Sequence, residues 1–355
     1  VVTNIDLRLP GFRVEFPPSR LTCPAATLTW IDTKRGQILL GDMERKTLGI
    51  FNALGELWQL VPMDNAPVWV LSTQEGIFVT SIGQFTPSDI PKGNLAFLPR
   101  IGEKYGSPKV ILKDLPRPTH TTLGDLNGDG RDDLIVSMFG NNTGRLSWFE
   151  LLENGEYREH VLLRRPGVIQ TELADINGDG FVDIIALIAQ EYEAMEIFYN
   201  DGKGEFQNKR IFQKHPLFGH THFQLIDFNG DQLQDLLVVN GDNGEYKSSL
   251  KPYHGVRIYL NRGQGKFEES SFFPINGAYR AIAADFDEDG DLDIAVISYF
   301  PDYTQFPRES FVYLENRGSS GFVPLTFREV AGGRWITMDA GDLDGDGDID
   351  LVLGS

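Results

Sequence analysis

At 355 residues, 41% hydrophobic and 23% charged, the chain holds ample material for a globular core, and no stretch approaches the ~20 consecutive apolar residues of a membrane helix. Acidic residues number 51 against 32 basic ones, a formal charge of −19 that speaks against nucleic acid and against an anionic membrane surface as partners. Cys23 is the one cysteine, which excludes an internal disulfide and a thiolate metal cluster.

In chain order, residues 1–9 lack the basic start and apolar run of a signal peptide, so an exported protein is expected here in its mature form, with the signal removed. Phe12-Arg-Val-Glu-Phe16 alternates apolar and charged residues as a strand does. Two weak repeat units follow, over about 28–120. In the first, Trp30-Ile-Asp-Thr-Lys-Arg-Gly36 leads into Ile38-Leu-Leu-Gly41; in the second, Ser72-Thr-Gln-Glu-Gly76 leads into Ile77-Phe-Val-Thr80. Each keeps a turn glycine and an apolar strand.

From about residue 121 the repeat is strong. Five nine-residue loops begin at Asp125, Asp175, Asp227, Asp285 and Asp342, spaced 50, 52, 58 and 57 residues apart. An apolar run follows each loop, such as Leu134-Ile-Val136, Ile184-Ile-Ala-Leu187, Leu236-Leu-Val-Val239 and Ile294-Ala-Val-Ile297. These runs are short and rich in β-branched residues, which reads as buried strand. Aromatic strands with Gly turns come later in the units, as in Ile197-Phe-Tyr-Asn-Asp-Gly-Lys-Gly-Glu-Phe206 and Ile258-Tyr-Leu-Asn-Arg-Gly-Gln-Gly-Lys-Phe267, with a weaker copy at 311–318. No segment sustains a helical period.

Roughly 50 residues of strands and turns make one four-stranded propeller blade. The expectation is an all-β, seven-bladed β-propeller, with six blades as the alternative, filling 1–355 as a single domain. The degenerate blades take about 28–120 and the acidic-loop blades about 121–355. Residues 1–27 help to close the ring, Phe12–Phe16 supplying a strand to the incomplete last blade and removing an exposed sheet edge.

Positions 1, 3, 5 and 9 of each loop are Asp or Asn: Asp125, Asn127, Asp129 and Asp133; Asp175, Asn177, Asp179 and Asp183; Asp227, Asn229, Asp231 and Asp235; Asp285, Asp287, Asp289 and Asp293; Asp342, Asp344, Asp346 and Asp350. Position 7 adds a backbone carbonyl, from Arg131, Phe181, Leu233, Asp291 and Asp348. Such a set of hard oxygens on a tightly curled loop suits Ca²⁺ better than Mg²⁺. An EF-hand is excluded, because its twelfth position needs a carboxylate and here holds Val136, Ala186, Val238, Val296 and Leu353. Solvated Asp/Gly turns would explain one such loop but not five at one spacing. Five Ca²⁺ would carry the formal charge from −19 to about −9. Position 6 is Gly in four loops and Gln232 in the third, where a positive φ costs on the order of 1 kcal/mol, so that site is expected to fill last or to be distorted.

The unit Asp-x-Asn/Asp-x-Asp-Gly-x-x-Asp followed by an apolar strand resembles the FG-GAP and VCBS repeats of integrin-α-like propellers, and of their bacterial type most, from about Leu28 to Ser355. The resemblance implies a Ca²⁺-stabilised scaffold with a binding face for protein or carbohydrate, exported to the periplasm, the cell surface or the medium. Lys251-Pro-Tyr-His-Gly-Val256 is similar to a stretch in that bacterial group, with no role attached.

If the family topology holds, the strand before each acidic loop lines the central channel. The fifth residue before each loop is then His120, Gln170, His222, Arg280 or Thr337, a polar ring expected at one mouth of the channel. The third is Thr122, Glu172, Gln224, Ile282 or Asp339, and the opposite face carries Leu123, Leu173 and Leu225 for packing between blades. The candidate ligand-binding residues are therefore His120, Gln170, His222, Arg280, Glu172 and Asp339. His220 and His222, two apart, are expected to share a strand face that could hold a transition metal. Phe139, Tyr299, Phe300, Tyr303 and Phe306 offer aromatic surface for a sugar or a protein partner. No Gly-x-Ser-x-Gly elbow, phosphate-binding loop or His-Glu-x-x-His appears, so a non-enzymatic binding module leads over a hydrolase or lyase working in the channel with Glu172 and Asp339 or a histidine.

Overall fold

The computed structural model describes residues 25–244, 249–327 and 330–355. The strand expected at Phe12–Phe16, and Cys23, lie outside the described residues. The fold is an antiparallel β-propeller. Blades 1, 3, 4, 5 and 6, spanning 26–62, 118–163, 168–213, 220–274 and 278–325, are four-stranded sheets in sequential order, and blade 2, spanning 67–115, has five strands. The helical elements among the described residues are two short 3-10 turns, Pro216–Phe218 and Gly318–Ser320.

The strand order follows from the residue pattern. Second strands such as Asp133–Met138, Asp183–Ile188, Asp235–Asn240 and Asp293–Ser298 are buried along their whole length, since a neighbouring blade covers each face. That is why they read as unbroken apolar runs rather than alternating ones. Outer strands such as Phe206–Gln213 and Phe267–Pro274 face water and carry the charges that keep an edge from pairing with another chain. The core lies between blades: Leu95, Leu112 and Leu115 of blade 2 pack on Leu134, Val136 and Met138 of blade 3, and Leu237, Val239 and Val256 of blade 5 pack on Ile294, Val296 and Val312 of blade 6. Each such side chain contributes roughly 1.5–3 kcal/mol by its burial. Leu123, Leu173 and Leu225 join these inter-blade clusters, as expected.

The first strand of every blade meets the first strands of its neighbours around the axis, so these strands line the channel. Both degenerate units form blades, with Asp32–Gln37 and Ser72–Gly76 as the turns between their first two strands. The count of blades corrects the expectation of seven: among the described residues six sheets are blades, the stated alternative. The fifth acidic loop joins a two-stranded sheet, Thr337–Gly341 with Asp350–Gly354, that has no outer strands among the described residues. This pair sits between blade 6 and blade 1. Met338 packs into the blade 6 core, Asp339 Oδ2 accepts the Ile31 N–H of blade 1 at 2.7 Å, and the Thr337 and Thr29 hydroxyls lie 2.6 Å apart.

Candidate functional site

All five acidic loops connect the first two strands of their sheets, on one face of the propeller. The position 1 carboxylate folds each of the first three over itself. Asp125 accepts the N–H groups of Gly128 at 2.8 Å, Asp129 at 3.2 Å and Gly130 at 2.8 Å; Asp175 and Asp227 repeat the pattern with Gly178, Asp179 and Gly180, and with Gly230, Asp231 and Gln232. Position 6 is left-handed throughout, from φ 70° at Gln232 to 101° at Gly347, so the glycine requirement read from the sequence holds. Position 4 is left-handed too. It is glycine in four loops and Glu288, at φ 61°, in the fourth, a second strained site that the sequence reading did not identify.

Position 9 has a distinct place. Asp133, Asp183, Asp235 and Asp293 are wholly buried. One oxygen of each accepts the N–H of position 2 (Leu126, Ile176, Phe228, Phe286), and the other accepts an N–H at the end of the third strand (Leu151, Asn200, Asn261, Asn316). Burial pushes all four carboxyls above the usual range, against these donated hydrogen bonds.

The carboxylate oxygens of Asp285, Asp287 and Asp289, and those of Asp342, Asp344 and Asp350, lie within 4.8 Å of one another. Like charges so close repel unless a cation or a proton stands between them. Accordingly Asp348 is raised to about 6, chiefly by its hydrogen bond with the neighbouring Asp346 carboxyl. An all-oxygen donor set of this kind fits a hard divalent ion. In blade 3, Arg131 Nη2 lies 2.5 Å from Asp129 Oδ2, and in blades 4 and 5 the Asn177 and Asn229 amides donate to Asp179 and Asp231. Blade 1 has no such set; there Arg35 and Arg100 stand 3.1 and 4.0 Å from Asp32 and supply positive charge covalently.

The polar ring lines the channel, with His222 and Arg280 half-buried and two members more deeply set. His120 and Gln170 are 3% and 5% exposed. Register shifts at Pro67/Trp69, Pro118/His120, Val168/Gln170, His220/His222 and Ala278/Arg280 place these residues alike. Trp69 is thus a ring member that sequence reasoning missed, because its degenerate loop offers no aspartate from which to count. Its ring lies tilted against that of His120, centroids 4.0 Å apart, and the Arg280 guanidinium reaches to 6.0 Å from the indole. Arg280 Nη2 is 4.0 Å from Asp339 Oδ1. Burial and the Arg280 charge hold His120 down at about 3 and His222 well below the ordinary imidazole value. Burial raises Glu172 and Asp339, with Arg280 opposing. Gln170 grips the next blade through both backbone groups of Phe223, at 2.9 and 3.2 Å, and Gln224 does the same with Ala283 at 3.3 and 2.8 Å.

His220 and His222 do not share a face, which corrects the expected histidine pair. The bulge between them turns His220 toward Glu193, Phe212 and Phe218, while His222 faces His120 and Arg280. In the Lys251–Val256 stretch, the Tyr253 carbonyl accepts the amide of the buried Asn240. Of the loop aromatics, Phe306 and Tyr303 are 88% and 48% exposed; Phe139 lies under Arg117, and Tyr299 and Phe300 under Arg334.

A family model described as FG-GAP-like repeat matches residues 125–186, 175–238 and 227–296, which run from the acidic loop of blade 3 into blade 6. Solved structures share the fold at low identity. The Pan2 WD40 domain of Neurospora crassa is 10% identical with a TM-score of 0.53, over 90% of this chain and 83% of that one. A Bacteroides fragilis protein provisionally described as a 6-phosphogluconolactonase is 13% identical with a TM-score of 0.53, over 81% and 80%. With its acidic loops between inner strands and its ring of sheets, the chain is an FG-GAP repeat β-propeller protein.

Proposed function

We propose that this propeller is a calcium-binding, non-enzymatic binding module or scaffold that works outside the cytoplasm, on a protein or carbohydrate ligand. The observation that carries the proposal is the recurrence, on one face, of five loops whose side chains offer hard oxygens. Calcium would be held by the carboxylates and amides at positions 1, 3, 5 and 9, and it would supply the charge that keeps them from repelling one another. Sites of this type with Kd on the order of 10⁻⁴ to 10⁻³ M fill where calcium is plentiful, hence the compartment.

The alternative, a hydrolase or lyase in the channel, has less support. Glu172 and Asp339 both face Arg280, whose guanidinium lies 4.0 Å from Asp339, an arrangement that pairs the carboxylates with a fixed cation. In the proposed reading the ring is a polar plug that fastens the inner strands, and recognition falls to more exposed surfaces.

Metal analysis of the purified protein, with thermal unfolding in calcium and in chelator, tests this. The expected content is about five ions per chain. At free calcium tenfold above Kd each site adds ~1.4 kcal/mol, so chelation removes up to ~7 kcal/mol and lowers the midpoint markedly. A protein without calcium, whose unfolding ignores EDTA, would refute the proposal.

A further inference from the structure

Between blades 4 and 5, on the face that carries the acidic loops, lies a cleft of about 590 Å³ lined by Asp179, Tyr199, Glu205, Phe206, Gln207 and Gln264 among others. It arises from three adjacent turns: the acidic loop of blade 4, the hairpin at 200–206 and the hairpin at 261–267 of blade 5. Tyr199 and Gln207 are cross-strand partners and so present their side chains on one face. The Tyr199 hydroxyl is shielded from solvent and has no hydrogen-bond partner among the described residues. Gly265 approaches it so closely that a Cβ there would collide with the hydroxyl, which keeps the blade 5 hairpin against the tyrosine. Lys209 is the cation of the cleft; its ammonium donates to the Gln264 and Gly265 carbonyls at 3.5 and 3.3 Å.

We infer that this cleft is a binding site for a neutral polyhydroxylated ligand, a sugar unit of a glycan. Asp201 and Glu205, outside the acidic loop, line the cleft against one ammonium that backbone carbonyls already engage, so an anionic ligand is disfavoured whether or not Asp179 holds a cation. Sugar hydroxyls both donate and accept, and they match amides (Gln207, Gln264) and a carboxylate (Glu205) set side by side. The aromatic side chains of Tyr199 and Phe206 give the C–H face of a pyranose a surface to lie on. The inference rests on the reading of the chain as a binding module and names the place and chemistry of its ligand; it does not depend on calcium.

The test is titration of the full chain with maltose, cellobiose, lactose and N,N′-diacetylchitobiose, followed by ligand-observed NMR and calorimetry, with tetralysine as the competing probe. At least one disaccharide should bind, and Gln207→Ala and Glu205→Ala should each weaken it about fivefold, as for one lost hydrogen bond. Both side chains are exposed, so the unfolding midpoint should hold and a loss of affinity cannot be ascribed to unfolding. Failure of every disaccharide, retention of affinity in both variants, or binding of tetralysine in place of sugar would overturn the inference. Calcium content measured on the same samples separates the two readings: calcium without sugar binding sinks this one alone, and sugar binding without calcium sinks only the calcium assignment.

Discussion

His220 Nδ1 lies 2.7 Å from Glu193 Oε2, and the same carboxyl oxygen accepts the His220 backbone N–H at 2.6 Å, which ties the blade 4 loop to the first strand of blade 5. Burial pushes Glu193 up to about 8, with Asp242 adding and Lys251 opposing. Burial holds His220 down at about 3, with Arg257 and Lys214 nearby. Burial disfavours the charged form of each, so the pair holds one proton shared between carboxyl and imidazole.

Stability against pH follows from that pair. Glu193, raised from 4.5, contributes fully below about 4.5 and loses its contribution as pH rises to about 8. His220, lowered from 6.5, contributes fully above about 6.5 and loses its contribution as pH falls toward about 3. The sum is flat between about 4.5 and 6.5 and declines on either side. Glu193→Gln removes the alkaline limb, so denaturant titrations from pH 6.5 to 8.5 should show a shallower fall in the variant; equal slopes would contradict the shared proton.

Gln232 sits at φ 70° where the other loops have glycine. Gln232→Gly should therefore stabilise the protein by about 1 kcal/mol, read as a higher denaturation midpoint with an unchanged slope. If calcium binds as proposed, the same change should tighten the third site. A midpoint that does not rise would show that the loop tolerates Gln232 without strain.

Asp183 and Asp179 occupy one loop but should behave differently. Asp183 is buried and accepts two backbone N–H groups, so Asp183→Ala should cost about 3 kcal/mol even in chelator, the consequence of stranding buried donors, and more in calcium, where a ligand is lost as well. Asp179 is exposed, and Asp179→Ala should matter mainly when calcium is present. Unfolding curves of both variants in calcium and in EDTA decide the point.

Arg280 is the positive charge facing Glu172 and Asp339 in the channel. Arg280→Ala strips two half-buried carboxylates of their shared cation, and a loss of about 3 kcal/mol is expected in denaturant titration. A loss below ~1 kcal/mol would mean that water reaches the plug freely.

Much of this architecture was legible in the residues because its signals are local. An aspartate at every second position, a glycine forced left-handed and an apolar run afterwards fix where each acidic turn lies and which strands flank it. Even the degenerate units at Trp30–Gly36 and Ser72–Gly76 declared themselves through glycine and strand. Glu288 escaped although position 4 is glycine in the other four loops, the same signal as at position 6, and the backbone angle reveals its strain. The number of blades was settled by how the last strands pair, a long-range matter.

By itself, then, the sequence determined the strand-rich repeat, the oxygen-bearing loops and the residues that face the axis, since each depends on spacing within some ten residues. Tertiary structure alone decided what those residues meet. The bulge that parts His220 from His222, the reach of Arg280 toward Trp69 of another blade and the cleft beside Tyr199 all arise where separate sheets are pressed together around a common axis. Contacts between sheets join residues 50 or more positions apart, as from Gln170 to Phe223, and no local pattern encodes them.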